Sequence, residues 1–464
     1  MLLEKRTRQQ VVCMITRKID KYLINFFKSE KSKALLLTGA RQIGKSFSIR
    51  NYGISHYENF IEINFIEMPE AIEAFSSAKD SADLLLRISA LTNKKLEKNK
   101  TLIFLDEVQK VPEIITSIKF LVDEGSYRYI LSGSLLGVEL KNIRSVPVGY
   151  LTIKEMFPLD FEEFAIACGV QEVVIENLQE CFNSQMQVDS IVHNKMLEIF
   201  KLYLIIGGMP AVVQSYIDTN NIQNVIAEQK SILQMYKMDI SQYDVNNKLY
   251  IEDIFDLIPA ELNNQNKRFI LKKLNENLKF NRYEDSFIWL REAGVAIPTY
   301  NVESLTLPLE LAKLRNLFKL FSNDVGLLAC QYSDGIQLKI LNNELNVNFG
   351  AIYENVVAQE LKAHGFKLYY YNNKKNGELD FVIKLNDELV PLEIKSGKNY
   401  ERHNALKNVT TSNDFDIKKA FVFCNDNVKI NGKVTYLPIY MIMFIKNKEI
   451  DSLIYKLDLS SINK

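Results

Sequence analysis

Hydrophobic residues between positions 31 and 135 come in short runs, separated by longer stretches in which apolar and polar residues mix. The runs are ALLLTG, FIEINF, TLIFLDE and YRYILSGS. Such runs, alternating with helix-like stretches, are typical of a parallel sheet wound with helices, because strands covered on both faces are hydrophobic throughout. We therefore predict an α/β domain, built around a parallel sheet, over residues 1–155.

The pattern changes after residue 155. Over residues 156–330 the apolar positions follow helical spacing, as in IFKLYLIIGG, whose final glycine pair suits the end of a helix. Residues 250–300 close with IWLREAGVAIPTYNV, a helix, a turn and a strand, which predicts a winged helix inside this helical region. Over residues 331–464 the helical stretch AIYENVVAQELKAHG precedes several strand-like runs. This mixture predicts a third domain of α/β or α+β type.

The composition fits a soluble protein of several domains. Its 464 residues are 47% hydrophobic and 25% charged, and domains usually contain about 100–200 residues each. The longest apolar run, Tyr436–Ile445, is too short for a bilayer, which needs about 20 apolar residues. The basic N-terminal segment has no apolar signal core. We predict a cytoplasmic protein without a membrane partner, and its five scattered cysteines indicate neither a disulfide framework nor a zinc site.

Charge is uneven along the chain although the net charge is zero. Residues 1–50 contain twelve Lys and Arg residues against three Asp and Glu residues, a local excess of nine positive charges. Such an excess suits nucleic acid or phosphate, and a solvated helix face explains it equally well. Residues 331–464 are nearly neutral, so charge alone does not indicate that this end binds DNA.

The segment GARQIGKS, from Gly39 to Ser46, has the spacing G-x-x-x-x-G-K-[ST] and lies between a strand-like and a helix-like run. In this motif backbone N–H groups surround phosphates at a helix N-terminus, Lys45 contacts the β- and γ-phosphates, and the Ser46 hydroxyl binds Mg²⁺. The motif predicts a site for ATP and Mg²⁺. The predicted nucleotide-binding residues are Gly39, Ala40, Arg41, Gln42, Ile43, Gly44, Lys45, Ser46, Phe47 and Ser134.

Acidic residues end the strand TLIFLDE, as the second half of such a site requires. We predict that Asp106 holds Mg²⁺ through its water shell and that Glu107 polarises the attacking water. The strand YRYILSGS places Ser132 and Ser134 at its carboxyl end, where open parallel sheets bind ligands. Ser134 either senses the γ-phosphate or water, or is an ordinary turn serine.

A second group of charged residues lies in NGELDFVIKLNDELVPLEIKSGK, residues 376–398. Period-two alternation places Asp380 on one face of the first strand, and Glu393 with Lys395 on one face of the second. In the register set by a two-residue turn at 386–387, Asp380 faces Glu393, and a slip of one residue would separate them.

Two facing carboxylates repel each other, and a divalent cation such as Mg²⁺ removes that repulsion. We therefore predict a metal site at Asp380 and Glu393. Lys395 is expected to orient a water there or to stabilise the charge that develops on a phosphate.

The order of these motifs resembles a known family. GARQIGKS, FLDEVQ and ILSGS are followed by FPLDFEEF, by LIIGGMP with YKMDI, and by KLFSNDVGLL and IYENVVAQEL. This series resembles the large prokaryotic family of AAA-type P-loop ATPases whose C-terminal domain is similar to the PD-(D/E)XK restriction-nuclease fold. The resemblance covers nearly the whole chain and implies ATP hydrolysis, a nuclease-like third domain, and a helical Glu354 that completes the hairpin site. The predicted catalytic residues are then Lys45, Glu107, Glu354, Asp380, Glu393 and Lys395.

One position departs from the family pattern. The family usually has Gly-Arg shortly before the segment that here is VGYLTIKEMFPL, whereas this chain has Gly149 and Tyr150. An arginine that stabilises the transferring phosphoryl group increases the rate by about 10³- to 10⁵-fold. If the missing arginine has that role, hydrolysis by this chain is expected to be slow unless Arg144 or Arg128 replaces it.

Two interpretations of the whole chain stay open at this point. In the first, an ATPase is coupled to a nuclease-like domain that acts on or grips nucleic acid such as DNA. In the second, nucleotide switches a binding or scaffold protein whose nuclease-like domain has no turnover. Assembly into a homo-oligomer is compatible with both interpretations.

Overall fold

The computed structural model describes residues 15–134, 149–243, 248–264, 267–270, 283–332, 335–342, 344 and 349–448. The N-terminal elements are α1 (Lys18–Ser29), β1 (Ala34–Thr38), α2 (Lys45–His56), β2 (Asn59–Asn64), α3 (Pro69–Ser76), α4 (Ser81–Thr92), β3 (Thr101–Asp106), α5 (Glu113–Glu124), β4 (Arg128–Ser132) and β5 (Leu151–Glu155). The strands form a parallel sheet in the order β2-β3-β4-β1-β5. Strand β3 is buried along its whole length, as a strand covered on both faces must be. The predicted α/β domain with a parallel sheet is confirmed.

Helices follow this sheet. They are α6 (Phe161–Ala167), α7 (Glu172–Ser184), α8 (Ser190–Ile206), α9 (Pro210–Thr219), α10 (Ile222–Tyr243), α11 (Lys248–Leu262) and α12 (Glu284–Glu292). Helices α8 and α9 meet at a bend of 120°. Within the described ranges no helix by itself has the length and apolar content to cross a membrane, whereas this bent pair together meets both criteria.

A mixed sheet forms the C-terminal part of the molecule. Its elements are β6 (Ala296–Val302), β7 (Lys313–Ser322), α13 (Val325–Tyr332), α14 (Ile336–Leu341), α15 (Phe349–Ala363), β8 (Tyr369–Asn373), β9 (Gly377–Leu385), β10 (Glu388–Ile394), α16 (Asn404–Thr411), β11 (Ala420–Cys424), β12 (Lys429–Asn431) and β13 (Val434–Pro438). The strand order is β12-β13-β11-β10-β9-β8-β6-β7. One hydrophobic cluster contains Leu35 of β1, Phe200 of α8 and Ile383 of β9, so the three parts of the chain share a core.

The strand that closes the predicted winged helix belongs to this mixed sheet. Strand β6 pairs antiparallel with β7 and parallel with β8. Residues 271–282 of the predicted winged helix lie outside the described residues. The winged helix therefore stays a prediction, and its last strand contributes to the C-terminal sheet.

The hairpin of β9 and β10 has the predicted register. Leu385 pairs with Glu388, and the pairing continues in step to Phe381 with Leu392. The turn residues Asn386 and Asp387 have φ values of 50° and 65°. Two left-handed residues give the type of tight turn whose twist matches that of the flanking strands. The predicted two-residue turn and its register are confirmed.

A tightly packed joint connects α8 to the loop between β7 and α13. A Cβ atom on Gly208 would lie 2.0 Å from the Leu159 carbonyl oxygen, and one on Gly207 would lie 2.1 Å from Asp324 Oδ1. Asp324 is fully buried and accepts hydrogen bonds from the backbone N–H groups of Gly208 at 2.6 Å and Leu327 at 2.9 Å. The motifs LIIGGMP and KLFSNDVGLL therefore meet in one structural unit.

Candidate functional site

The loop GARQIGKS connects the end of β1 to the first residues of α2. Gly39 and Gly44 have φ values of 131° and 88°, in the region that favours glycine. A Cβ atom on Gly39 would also lie 2.2 Å from the Met156 carbonyl oxygen. Both glycines are therefore required by the backbone path, and the loop leads directly into a helix N-terminus, where phosphates bind.

Lys45 is the first residue of α2 and is only 8% exposed. Its Nζ donates hydrogen bonds to the carbonyl oxygens of Gly39 at 2.9 Å and Ala40 at 2.6 Å. In the described part of the chain no carboxylate lies within ion-pair distance of it. Burial lowers the pKa of Lys45 to about 8, although the nearby charges of Glu107 and Asp106 oppose that shift. The loop thus holds a buried cation whose partners are backbone carbonyl oxygens.

Asp106 lies at the carboxyl end of β3, and two hydroxyl groups contact it. Ser46 donates a hydrogen bond to its Oδ2 at 2.8 Å, and Ser132, at the end of the neighbouring β4, donates one to its Oδ1. Mg²⁺ prefers carboxylate and hydroxyl oxygens, so the residues predicted to hold the metal, Ser46 and Asp106, fit that ion. Within the described ranges no lysine or arginine lies at ion-pair distance from this carboxylate.

Glu107 follows Asp106 in a left-handed backbone conformation, with φ 59° and ψ 42°. Such a conformation costs about 1–3 kcal/mol in a residue other than glycine and is common at functional sites. Its N–H donates to Asp106 Oδ1 at 3.0 Å, and Gln109 Nε2 donates to its carboxylate. The geometry holds the Glu107 carboxylate at the carboxyl edge of the sheet, beside Asp106.

The other predicted nucleotide-site residues have separate surroundings. Ser134 accepts a hydrogen bond from Arg41 Nε at 3.1 Å, and Gln42 contacts α10. Phe47 is 57% exposed. Two arginines were considered as replacements for the missing one. Arg128 is the first residue of β4 and so lies at the end of that strand away from Ser132 and the phosphate loop. Arg144 lies outside the described residues.

The acidic hairpin, formed by β9 and β10, lies beside charged residues from distant parts of the chain. Asp380 Oδ2 accepts a hydrogen bond from the Ile394 N–H at 2.8 Å, and Lys395 Nζ contacts Glu393 at 2.6 Å. Glu354, on α15, pairs with Lys319 at 3.4 Å and with Lys267. Neither lysine is expected at this site from the sequence.

Burial and mutual repulsion shift the titration of the hairpin acids. Burial raises the pKa of Asp380 well above its usual value, and the charges of Glu354 and Glu393 add to this effect. Burial also raises the pKa of Glu393, although Lys395 opposes it. For Glu354 burial acts in the same direction, but Lys319 and Lys267 outweigh it and lower its pKa. The carboxylates of the cluster therefore interact as the predicted register requires.

Lysines, rather than acids alone, surround this cluster. Lys319 is fully buried in β7 and also pairs with Glu378 at 2.8 Å. Within the described ranges no group of three or more His, Cys, Asp and Glu residues is arranged to hold a metal ion. The metal site at Asp380 and Glu393 stays a prediction. The one sequence signal for Lys319 was a lysine between apolar residues in LFKLFS.

Three family models match parts of the chain. Residues 31–165 match an AAA domain, residues 197–338 match a domain of unknown function (DUF8612), and residues 349–442 match another domain of unknown function (DUF4143). The N-terminal domain is therefore an AAA-type P-loop ATPase domain. The third match gives no activity, so the nuclease-like fold stays a prediction. No curated protein matches the chain.

Solved structures of low sequence identity are similar to parts of this chain. The Walker-type ATPase PABY2304 of Pyrococcus abyssi is 13% identical, with a TM-score of 0.41, over 71% of this chain and 99% of that one. The Orc1 protein of Aeropyrum pernix, in complex with DNA, is 11% identical, with a TM-score of 0.28, over 71% and 91%. RuvB of Thermotoga maritima is 12% identical, with a TM-score of 0.29, over 61% and 89%.

Proposed function

We propose that the chain hydrolyses ATP, in a Mg²⁺-dependent reaction, at the loop of residues 39–46. The observation that carries the proposal is the surroundings of Asp106, whose two oxygens accept hydrogen bonds from Ser46 and Ser132. Glu107 follows it directly, and the buried Lys45 has only backbone carbonyls as its hydrogen-bond partners in the described residues. These are the groups that a P-loop ATPase needs for the phosphates, the metal and the attacking water.

In the proposed reaction Glu107 accepts a proton from the attacking water. The water oxygen forms a bond to the γ-phosphorus while the bond from that phosphorus to the β,γ-bridging oxygen breaks, and ADP leaves with the bridging oxygen. Lys45 exchanges the carbonyls of Gly39 and Ala40 for phosphate oxygens. Mg²⁺, when bound, neutralises charge on the phosphates.

Two variants test this proposal by separating binding from turnover. Lys45→Ala is expected to weaken ATP binding about tenfold to a hundredfold, since a hydrogen bond to a charged group contributes about 1.5–3 kcal/mol. Glu107→Gln is expected to keep ATP binding and to lose turnover about 10²- to 10⁴-fold. Equilibrium binding of a fluorescent ATP analogue and phosphate release, each with and without Mg²⁺, measure the two quantities.

The matched control is Glu113→Gln, which removes an exposed acid from the start of α5. We expect it to bind and hydrolyse ATP like the native protein. Hydrolysis by Glu107→Gln at the native rate would refute the assignment of the base.

A second activity, metal-dependent cleavage of nucleic acid at the acidic hairpin, is favoured by one observation. Glu393 Oε2 is buried and has no hydrogen-bond partner among the described residues. Asp380, which the register places across from Glu393, has a raised pKa, so a cation between them would satisfy both. The competing interpretation is a domain without turnover that binds a partner, and the pairing of Glu354 with Lys267 and Lys319 favours it.

Incubation with plasmid and linear DNA separates these interpretations. We would compare the native protein with a Glu393→Ala, Lys395→Ala double variant in Mg²⁺ and in Mn²⁺, with and without ATP. Cleavage by the native protein alone supports a nuclease. Equal cleavage by both proteins, or cleavage by neither, contradicts it and leaves a nucleotide-switched binding or scaffold protein.

A further inference from the structure

Arg41, the second variable residue of the loop GARQIGKS, has polar partners that the sequence does not indicate. Its Nε donates a hydrogen bond to Ser134 Oγ at 3.1 Å, and its Nη1 pairs with Asp239 on α10. Its backbone carbonyl accepts a hydrogen bond from the Tyr236 hydroxyl at 3.3 Å. The residue is therefore held between the ATPase domain and a helix of the middle region.

The helix residues that hold Arg41 belong to the YKMDI motif. Met235, Tyr236 and Asp239 lie on one face of α10, because residues separated by three or four positions are neighbours on a helix. Met235 Sδ lies 3.8 Å from Gln42 Nε2. The YKMDI motif and the residue before it thus contact Arg41 and Gln42, two variable residues of the phosphate loop.

A short chain of polar groups connects Arg41 to the proposed base. Gln109 Nε2 donates to Glu107 and lies 3.5 Å from Ser134 Oγ, which in turn accepts from Arg41. Burial raises the pKa of Asp239, and the charge of Glu107 adds to this effect against the opposing charge of Arg41. Glu107 and the Arg41–Asp239 pair therefore lie within electrostatic range of each other.

Other arginines near the site are less suited to act on a phosphate. Arg17 Nη1 donates to the Ile43 carbonyl, but its guanidinium is buried against Glu163, which already balances its charge. Arg128 lies at the amino end of β4, the end of the strand away from the phosphate loop. In contrast, the Arg41–Asp239 pair is partly open to solvent, with side-chain exposures of 34% and 11%. A pair that water reaches is held less tightly than a fully buried one, so its guanidinium can exchange partners.

We propose that Arg41 stabilises the transferring phosphoryl group in cis, and that Asp239 holds its guanidinium until the γ-phosphate competes for it. This inference rests on the proposed ATP hydrolysis. The γ-phosphate carries more negative charge than a single carboxylate, and guanidinium groups bind phosphate oxygens in a bidentate fork. The phosphate loop itself then supplies the arginine that the family resemblance places at the position of Tyr150.

The catalytic half of the proposal is tested with the full-length protein and Arg41→Ala, Arg41→Lys and Arg128→Ala variants. We expect Arg41→Ala to lower kcat about 10³-fold or more, while its affinity for ADP stays within a few fold of native. It is also expected to lose the extra affinity for ADP with aluminium fluoride, which mimics the transition state. Arg41→Lys keeps the charge and is expected to recover part of kcat, and Arg128→Ala is the control that behaves like native.

The holding role of Asp239 is tested by a double-mutant cycle. Asp239→Asn is expected to tighten binding of a non-hydrolysable ATP analogue about two- to fivefold, the range of an exposed ion pair, and to leave ADP binding unchanged. The tightening is expected to vanish in the Arg41→Ala background. Equal tightening in both backgrounds would contradict the holding role.

The outcomes also separate this inference from the proposed function. If the native protein hydrolyses ATP, Lys45→Ala binds ATP more weakly, and Arg41→Ala keeps the native kcat, only the role of Arg41 is refuted. If the native protein shows no Mg²⁺-dependent hydrolysis, the proposed function fails first.

Discussion

The nucleotide loop and the acidic hairpin each have a buried lysine nearby, and the pKa values of the two lysines are shifted in opposite directions. Lys45 donates to two backbone carbonyls, and burial lowers its pKa to about 8. Lys319 is also fully buried, yet the charges of Glu354 and Glu378 outweigh burial and raise its pKa. The same residue type is thus destabilised as a cation in one region and stabilised as a cation in the other.

This difference indicates which region is prepared for an anion. A buried cation that has no carboxylate in ion-pair contact gains stability when a phosphate binds, because the phosphate supplies the missing charge. A lysine that is already paired with carboxylates gains little stability when a phosphate binds. This criterion favours the loop of residues 39–46 as the ligand site that we propose, and it makes Lys319 part of a charge cluster whose lysines and carboxylates already pair.

The largest expected effect is the loss of stability in Lys319→Met. Removing this amine leaves Glu354 and Glu378 without one of their cations, and breaking a buried pair costs about 3–5 kcal/mol. Chemical denaturation measures the free energy of unfolding. Lys384→Met, at an exposed position of β9, is the control and is expected to change stability little. A loss of stability for Lys319→Met no larger than that of the control would contradict the claim that buried ion pairs hold Lys319.

A smaller effect is expected at Asp324, a buried acid that, like Lys45, bonds to backbone groups. Asp324→Ala leaves the N–H groups of Gly208 and Leu327 without their acceptor and is expected to cost about 1–3 kcal/mol. Burial raises the pKa of Asp324 to about 6, from an ordinary value near 3.8. Between these two pH values the native state binds more protons than the unfolded state. The stability that protonated Asp324 contributes is therefore lost as pH rises from about 4 to 6.

Denaturation of Asp324→Asn over that pH range checks the sign. The variant keeps an acceptor oxygen but cannot ionise, so its stability is expected to fall less steeply with rising pH than that of the native protein. An unchanged slope would show that Asp324 is not the titrating group.

The smallest expected effect is proton uptake when ATP binds. Burial lowers the pKa of Lys45 to about 8, and phosphate is expected to raise it again, so binding near pH 9 should take up part of one proton. Calorimetric titrations at pH 9 in buffers of different ionisation enthalpy measure this uptake. At pH 7, where Lys45 is largely protonated in both states, its proton uptake should be much smaller. Equal enthalpies in all buffers at pH 9 would contradict the lowered pKa.

The features predicted from sequence were those set by local rules. The phosphate loop requires a fixed spacing of glycine and lysine, and the parallel sheet follows from runs of apolar residues. The hairpin register follows from the two-residue turn at 386–387 and the alternation on either side of it. Each of these depends on residues that are close together in the chain.

The features that sequence did not predict depend on contacts between distant residues. Lys267 and Lys319 reach Glu354 from other elements, and the apolar neighbours of Lys319 in LFKLFS do not indicate its partner. Arg41 stands in a recognised motif, but its pairing with Asp239 depends on how α10 packs on the loop. Strand β6 joins the C-terminal sheet through β8, a pairing across about seventy residues that periodicity does not reveal.

Denaturation of Lys45→Met and Lys319→Met, with and without Mg²⁺ and ATP, tests the central claim most directly. Without nucleotide, Lys45→Met is expected to be at least as stable as the native protein, and Lys319→Met less stable. At an ATP concentration a hundred times the Kd of the native protein, ATP is expected to stabilise the native protein and Lys319→Met by about 2.7 kcal/mol. The same concentration is expected to stabilise Lys45→Met far less. Equal stabilisation of Lys45→Met by ATP would contradict the assignment of the nucleotide site.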